Sequence, residues 1–119
     1  MAKELLEKTV LQNHINGVWE DAKETRDVIN PATGEVIAKV PLSTKEDVDR
    51  AVQAAKAAQK EWALVPAPQR AEVLYEVGRL LKERKEHLAK LLTLENGKVL
   101  EEARGEVQEG IDMAFYMAG

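Results

Sequence analysis

The side chains best suited to proton transfer in this sequence are its two histidines, His14 and His87. A Ser/His/Asp arrangement needs a histidine that is held by a carboxylate and faces a hydroxyl. His14 lies next to a predicted hairpin turn, and His87 lies among charges in the helical stretch "ERKEHLAK". We therefore interpret both histidines as structural, and the sequence predicts no catalytic residue.

Four glutamates near the end of the sequence could supply paired carboxylates for acid/base catalysis. They are Glu101, Glu102, Glu106 and Glu109. At this density on one helix, carboxylates are typical of a solvated face. No histidine or cysteine accompanies them, so the sequence predicts no metal site made of side chains.

The chain contains no cysteine, which excludes disulfides, thiolate ligands and a thiol nucleophile within these residues. Two glycine-containing stretches invite comparison with phosphate-binding loops. "NPATGE" is not followed by Gly-Lys-Ser, and "ENGKVLEEARG" lacks the G-x-G-x-x-G spacing with which backbone amides approach a pyrophosphate. No cofactor-binding residue is predicted.

The composition is that of a single small globular unit of 119 residues, 45% hydrophobic and 32% charged. Its formal net charge of -4 argues against nucleic acid or an anionic membrane as a partner. The N-terminal stretch "MAKELLEKTV" carries mixed charge, and no long apolar run follows it. We therefore expect neither a signal peptide nor a transmembrane span, and we predict a cytoplasmic protein.

Two β-hairpins are predicted in the first part of the chain. In "NHINGVWE", the Asn16-Gly17 dipeptide readily takes the left-handed angles of a type I′ turn. In "ETRDVINPATGEVIAKVP", β-favouring runs flank a turn at residues 31–34. Pro41 has no amide hydrogen to extend a ladder, so we expect the strands to end there.

The rest of the sequence is predicted to be helical, beginning with a helix over residues 44–61. Either Ser43 with Glu46 or Thr44 with Asp47 could form a capping box at its start. Apolar residues recur at every third or fourth position, which predicts a stripe that packs closely against a neighbour. The stripe consists of Val48, Ala51, Val52, Ala55, Ala58 and Trp62.

A second helix is expected to have Pro68 in its first turn, where a missing amide is tolerated. We expect an interruption near Glu86, a stop at Asn96-Gly97, where glycine can adopt left-handed angles, and a final helix from Val99. The residues predicted to be buried on these helices are Val73, Leu74, Val77, Leu80, Leu81, Leu88, Leu91, Leu92, Leu100, Ala103, Val107, Ile111, Ala114 and Ala118.

These amphipathic helices lack an obvious surface on which to pack. No stretch of the sequence has the continuous apolar pattern of a central strand in a parallel sheet. Either the packing partner lies outside these residues, or the helices pack on one another as a small bundle. From the residues alone, the chain is a soluble unit of strands and helices without a self-contained active site.

Five stretches, taken in order, resemble the N-terminal part of the NAD(P)-dependent aldehyde dehydrogenase superfamily. They are "INGVWE", "VINPATGEVIAKVP", "DVDRAVQAAKAAQKEW", "PAPQRAEVLYEVGRLLKERKEHLAKLLTLENGK" and "EARGEVQEGIDMAFYMAG". The resemblance covers residues 13–119. Its most specific motifs are the N-P-x-T-G-E turn and the E-N-G-K helix stop.

The resemblance implies an α/β fold, the N-terminal part of the family's Rossmann-like cofactor-binding domain, which would appear here as two short β-hairpins followed by three or four amphipathic helices. It divides the chain into an N-terminal extension (1–12), a β-hairpin segment (13–41) and a helical segment of an incomplete cofactor-binding domain (42–119). The packing partner of the helices would then be the rest of the enzyme, of which this chain would form the first quarter.

The resemblance also implies an activity, the oxidation of an aldehyde to a carboxylic acid with NAD or NADP. In this family a cysteine thiolate attacks the aldehyde, the hydride passes to the nicotinamide, and a glutamate activates the water that releases the acid. The motifs of that cysteine and glutamate do not occur in these residues. We therefore expect the chain alone to be inactive and to bind no cofactor. The run "GEVQEGID" resembles semialdehyde-oxidising members.

Some relatives hold a structural monovalent cation on backbone oxygens. Through the two motifs, the resemblance assigns the carbonyls of Ile29 and Glu95 to such a site, with Val28 as a weaker third ligand. Backbone carbonyls suit a hard cation. The alternative is that Ile29 packs in a strand and Glu95 is an ordinary last-turn residue.

Three functional hypotheses remain. The chain is the N-terminal segment of an aldehyde dehydrogenase that forms a homo-oligomer, or a stand-alone interaction module that binds through residues 100–118, or one part of a split enzyme whose complementary subunit supplies the cysteine. The first hypothesis predicts a truncated or cleaved chain with a partly exposed apolar helix face. We favour the first.

Overall fold

The computed structural model describes residues 5–119, so the predicted extension at residues 1–12 lies partly outside the described residues. The strands are β1 (Asn13–Ile15), β2 (Val18–Glu20), β3 (Glu24–Ile29) and β4 (Val36–Leu42). The helices that follow are α1 (Lys45–Trp62), α2 (Ala67–Glu83), α3 (Lys85–Asn96) and α4 (Leu100–Ala118). Two antiparallel hairpins thus precede the helices, which confirms the predicted α/β architecture.

The first hairpin joins β1 to β2 through a turn at Asn16 and Gly17. These two residues have φ angles of 51° and 78°, as a type I′ turn requires. Asparagine and glycine tolerate the left-handed region better than other residues do. The predicted hairpin is therefore confirmed, together with its turn residues.

The second hairpin pairs β3 with β4, and β4 runs one residue beyond Pro41, to Leu42. The prediction that the strands end at Pro41 is therefore wrong by one residue. The amide of Lys39 donates to the Thr9 carbonyl, away from β3. Because every second residue of a strand faces the same side, Pro41 also directs its missing amide away from β3, and the pairing continues past it.

Residues 9–11 lie along the outer edge of β4. The Leu11 amide donates to the Lys39 carbonyl at 2.9 Å, and the Lys39 amide donates to the Thr9 carbonyl at 2.7 Å. Val10 forms a parallel bridge with Lys39. Part of the predicted N-terminal extension therefore adds a third backbone segment to the second hairpin.

A capping box starts α1. Of the two pairs that the sequence allows, the structure uses Thr44 and Asp47. The Asp47 amide donates to Thr44 Oγ1 at 3.2 Å, and the Thr44 amide donates to Asp47 Oδ2 at 2.8 Å. Hydrogen bonds from the Thr44 amide and from the Arg50 guanidinium to the Asp47 carboxylate lower its pKa. Arg50 also forms an ion pair with Glu20, which ties α1 to β2.

The predicted apolar stripe of α1 is not covered. None of the residues of this helix is buried; Val48 is 54% exposed and Val52 is 49% exposed. The prediction of close packing is therefore wrong for the described residues. The periodicity identified correctly which residues share a face, but the neighbour that α1 contacts most is the short strand β1.

The other three helices pack on one another, with α4 in contact with both α2 and α3. The residues buried on them are Gly78, Ala89, Leu94, Ala103 and Ile111. Gly78 allows α2 to approach α4 closely, because a Cβ at this position would stand 2.8 Å from the ring of Phe115. The small-bundle alternative therefore holds for three helices and fails for α1.

Three residues of α2 that were expected to be buried are exposed. Val73, Leu74 and Val77 are 52%, 36% and 41% exposed, because the apolar pattern of α2 extends beyond the side that α4 covers. The interruption expected near Glu86 is confirmed, since the break between the helices falls at Arg84. At a φ of -97° and a ψ of 10°, Arg84 lies in the bridge region, which ends one helix and lets the next begin. Pro68 lies in the first turn of α2, as predicted.

The structure has more surface than a compact protein of its size. Its accessible area is 9008 Å², whereas a compact monomer of 13.2 kDa exposes about 6,400 Å². Its radius of gyration is 16.9 Å, compared with about 13.5 Å for a compact chain of this length. Within the described residues, no helix is long and apolar enough to cross a membrane.

Candidate functional site

The N-P-x-T-G-E turn is built around a buried asparagine, Asn30, which is 7% exposed. Asn30 Oδ1 accepts a hydrogen bond from the Ala32 amide at 2.9 Å. The Asn30 carbonyl accepts one from the Gly34 amide at 2.8 Å, and its amide donates to the Glu35 carbonyl at 2.9 Å. Asparagine and then proline favour such a turn, and Gly34, at a φ of 76°, supplies its left-handed residue. The sequence motif therefore specifies one rigid loop.

The E-N-G-K helix stop lies against this loop. Gly97 ends α3 with a φ of 88°, and its amide donates to the Thr93 carbonyl, so the predicted left-handed stop is confirmed. A Cβ on Gly97 would stand 2.7 Å from Pro31 Cγ. Glycine is thus required here both by the backbone angle and by the close approach of Pro31. The two most specific motifs of the sequence are in direct contact.

This contact brings together the parts of the chain to which the resemblance assigns cation ligands. Ile29 ends β3 with its side chain 52% exposed, and Glu95 is exposed in the last turn of α3. Carbonyls in the last turn of a helix have no intrahelical partner, so this helix end fits a carbonyl-ligand site. Val28 is half-buried in β3. Cation binding by Ile29, Glu95 and Val28 stays a prediction.

A side-chain network holds α4 on α3. Two nitrogens of Arg104 each donate to Glu86 at 2.9 Å, and a third hydrogen bond reaches Glu101 at 3.0 Å. These bonds from Arg104 lower the pKa of the Glu86 carboxyl, while the carboxylates raise the pKa of Arg104. Lys98 pairs with Glu106. The Arg104–Glu86 pair thus joins α4 to α3, and the carboxylates of Glu86 and Glu106 are about half exposed.

The four glutamates of α4 are all exposed: Glu101, Glu102, Glu106 and Glu109. Their interpretation as a solvated face is consistent with this exposure.

His14 packs against the ring of Trp19, with ring centroids 4.5 Å apart, and both His14 and His87 are exposed. Among residues 5–119, no group of three or more histidine, aspartate or glutamate side chains could hold a metal ion.

The described residues do not by themselves fit a bound dinucleotide. The glycines with positive φ close two hairpin turns and one helix end. Phosphate sites of dinucleotide-binding folds use amides at a helix N-terminus that follows a glycine-rich loop. The residues that cap the helix N-termini here are not glycine: Thr44, Pro66, Arg84 and Val99.

The fold and this candidate site together define the chain as an α/β unit of two hairpins and four helices. Its motifs fix a loop against a helix end, and its charged side chains connect helices. The family model described as "Aldehyde dehydrogenase family" matches residues 19–119. The chain belongs to the aldehyde dehydrogenase family, as the resemblance implied.

Curated relatives match the chain with their N-terminal part. Malonate-semialdehyde dehydrogenase 1 of Bacillus licheniformis is 55% identical over 105 residues, which cover 87% of this chain and 22% of that protein. Malonate-semialdehyde dehydrogenase 1 of Bacillus thuringiensis is 57% identical over 104 residues, which cover 86% of this chain and 21% of that protein. The chain therefore spans little more than a fifth of the length of these relatives.

Solved structures show the same partial match. Betaine aldehyde dehydrogenase from Staphylococcus aureus, in complex with NAD+, superimposes with a TM-score of 0.92 and 38% identity, over 99% of this chain and 24% of that chain. A 3,6-anhydro-L-galactose dehydrogenase in complex with NAP superimposes with a TM-score of 0.88 and 39% identity, over 92% of this chain and 23% of that chain. The described fold is thus that of the N-terminal part of these enzymes.

The sequence did not predict one feature, the environment of Arg70. This residue lies in a cleft lined by α1, α2 and α4, and its Nε is buried. In the sequence, Arg70 is one of several charges near the start of a helix. The apolar residues one turn further along, Val73 and Leu74, gave the only signal that an arginine lies on the apolar side of α2.

Proposed function

We propose that this chain is the N-terminal segment of an NAD(P)-dependent aldehyde dehydrogenase whose substrate is malonate semialdehyde. The observation that carries the proposal is the 55–57% identity to two malonate-semialdehyde dehydrogenases. The structural neighbours with other substrates are only 38–39% identical. We therefore assign the substrate of the more similar enzymes to this protein. The run "GEVQEGID", which resembles semialdehyde-oxidising members, agrees with this assignment.

The shape of the chain supports its role as a segment of a larger enzyme. It exposes about 2,600 Å² more than a compact monomer of its mass, and the apolar stripe of α1 accounts for part of this excess. An apolar helix face of this kind is typical of a surface that another element covers. We infer that the remainder of the enzyme packs on it.

The chemistry of the proposed enzyme comes from outside these residues. This chain has no cysteine and no dinucleotide site of its own among the described residues. Its part is to hold the loop at Pro31 against the helix end at Gly97 and to present its helices to the remainder. We propose that the chain alone does not turn over aldehydes, and that the complete enzyme is a cytoplasmic homo-oligomer.

The test uses a joined protein, defined as this chain followed by the part of Bacillus licheniformis malonate-semialdehyde dehydrogenase 1 that lies beyond the matched residues. We expect the joined protein to reduce NAD+ or NADP+ in the presence of malonate semialdehyde. The rate should exceed that with betaine aldehyde by about tenfold or more, because a pocket built for a carboxylate rejects a cationic substrate.

The isolated chain, and the isolated chain mixed with the separate remainder, serve as controls. A folded joined protein that oxidises no aldehyde contradicts the proposal. Turnover by the mixture supports a split enzyme instead. The intact mass of the protein in its native source provides an independent check, since a value near 13.2 kDa favours a stand-alone module and a mass several times larger favours a segment.

A further inference from the structure

A cleft of about 470 Å³ lies where the end of α1, the start of α2 and the end of α4 meet. Its walls are largely apolar and partly open to solvent. Trp62 is 46% exposed and Met117 is 62% exposed. The side chains that form most of the cleft are Trp62, Arg70, Val73, Leu74, Met117 and Ala118.

Among the described residues that line this cleft, Arg70 has the one charged side chain. Its Nε is buried and has no hydrogen-bond partner among the described residues. A guanidinium carries donors and no acceptor and stays protonated. Arg70 therefore cannot eliminate this unpaired donor by losing a proton. A buried donor without an acceptor is costly. Within the described residues, Arg70 Nε therefore lacks an acceptor oxygen, whether from a carbonyl or a carboxylate.

Other arginines of the chain show that this situation is unusual. Arg79, which is more than two turns further along α2, donates to Glu76 at 2.7 Å and to Glu83 at 2.8 Å. Arg104 has Glu86 and Glu101 as partners. These two arginines are exposed or half-exposed and could be solvated by water, yet they have carboxylate partners. Arg70 Nε is buried and, within residues 5–119, has no acceptor.

We propose that this cleft receives a segment from the remainder of the aldehyde dehydrogenase, which presents a main-chain carbonyl or a carboxylate to Arg70 and apolar side chains to the walls. This inference rests on the proposed function. The relatives are four to five times longer than the stretch they share with this chain, so the required polypeptide exists within such an enzyme.

A second copy of this chain fits the cleft less well. Pairing through a two-fold axis places the same patch of both copies face to face, which would bring the two Arg70 side chains towards each other. The apolar walls of the cleft provide no side-chain acceptor for either guanidinium. The acceptor must therefore come from a surface that differs from this one.

The experiment compares thermal unfolding of Arg70→Met in the isolated chain and in the joined protein, with Arg79→Met as the matched control on the same helix. Methionine keeps the apolar length of the side chain and removes its donors. In the isolated chain, Arg70→Met should leave the Tm unchanged or raise it, because it removes a buried donor without a partner. In the joined protein it should lower the Tm by about 3–6 °C, more than Arg79→Met does.

The possible results separate this inference from the proposed function. An active joined protein in which Arg70→Met and Arg79→Met have the same effect overturns the inference alone. Equal destabilisation by Arg70→Met in the isolated chain and the joined protein also overturns it, since Arg70 then acts within the segment. A folded but inactive wild-type joined protein overturns both. If Arg70→Met prevents the joined protein from folding, Arg70→Lys should retain part of the stability, and a Tm equal to that of the wild type contradicts the need for a guanidinium.

Discussion

Replacing Gly97 by alanine tests the contact between the two motifs that define this segment. Gly97 has a φ of 88°, and a Cβ added to it would stand 2.7 Å from Pro31 Cγ. Two penalties therefore act at one position. The backbone angle is unfavourable for an L-residue, and the new methyl group overlaps a ring that the turn holds in place.

The magnitude follows from these two terms. A non-glycine residue in the left-handed region costs about 1–2 kcal/mol. Carbon atoms in contact are normally separated by about 3.5–4.0 Å, so the overlap approaches 1 Å, and accommodating an extra methyl group in packed surroundings costs about 1–3 kcal/mol. We expect Gly97→Ala to lower the free energy of unfolding by about 2–5 kcal/mol, a large part of the total for a small domain.

The assay is urea unfolding of the chain, followed by circular dichroism of its helices. At a urea slope of about 2 kcal/mol/M, within the usual range for small proteins, the midpoint should fall by about 1–2.5 M. Gly34→Ala is the matched control, because Gly34 has a φ of 76° and nothing within 4 Å of its added Cβ. It should show only the backbone term, about 1–2 kcal/mol.

A double-mutant cycle then isolates the overlap. Pro31→Ala removes the Cγ that the new methyl group would meet, so it should cost less in the Gly97→Ala background than in the wild type. The reasoning is refuted if Gly97→Ala costs no more than Gly34→Ala, or if the costs of Pro31→Ala and Gly97→Ala simply add. Either result would mean that the loop and the helix end do not constrain each other.

Three further predictions can be checked on the same chain. Because Arg104 lowers the pKa of Glu86 from its ordinary value of 4.5, the stability that this pair contributes is present above that pH and is lost as the pH falls below it; Glu86→Gln should flatten the acid limb of the stability profile measured by urea unfolding. Thr44→Ala should cost about 1 kcal/mol by removing the α1 cap, whereas Ser43→Ala should have little effect, and equal costs would contradict the observed capping box. Val52→Lys should change the unfolding free energy of the isolated chain by less than about 0.5 kcal/mol, because the side chain is 49% exposed, but it should reduce the yield of folded joined protein, and tolerance there would mean that nothing covers α1.

Local backbone features were predictable from the sequence because they depend on a few adjacent residues. Asn16-Gly17 can form a tight turn without a Cβ clash at its second residue, and Gly97 can end a helix where other residues are strained. The start of α1 at Thr44 follows from the same kind of local chemistry, although the sequence allowed a second capping pair. Each of these features depends on backbone angles and hydrogen bonds of residues that are at most a few positions apart in the sequence.

Burial was predicted less well, because it depends on what lies opposite a helix. The spacing of Val48 and Val52 places them on one face, and the structure retains that face but leaves it exposed. Val73 and Val77 show the same effect on α2. The pattern of a sequence identifies which residues share an apolar face, whereas the structure shows only the contacts that the described residues make with one another.

The candidate site was predictable only where a motif identified it. The family resemblance identified Ile29 and Glu95 through their motifs, and the structure then brought those motifs into contact. No motif indicated the cleft at Arg70. An arginine near a helix start is ordinary in sequence, and its missing acceptor becomes visible only when three helices are placed together.

The contact between Pro31 and Gly97 also has a consequence for the order of folding. The whole of α1 and α2 lies between these residues in the sequence, so closing the contact requires a long loop to be ordered. During synthesis, which proceeds at about 5–20 residues per second, the β3–β4 hairpin leaves the ribosome several seconds before Gly97 does. For that interval the hairpin has no helix end to pack against, and its turn at Pro31 is accessible to chaperones or to other nascent chains. The β3–β4 hairpin can therefore pack against the end of α3 only after Gly97 of the E-N-G-K helix stop has been synthesised.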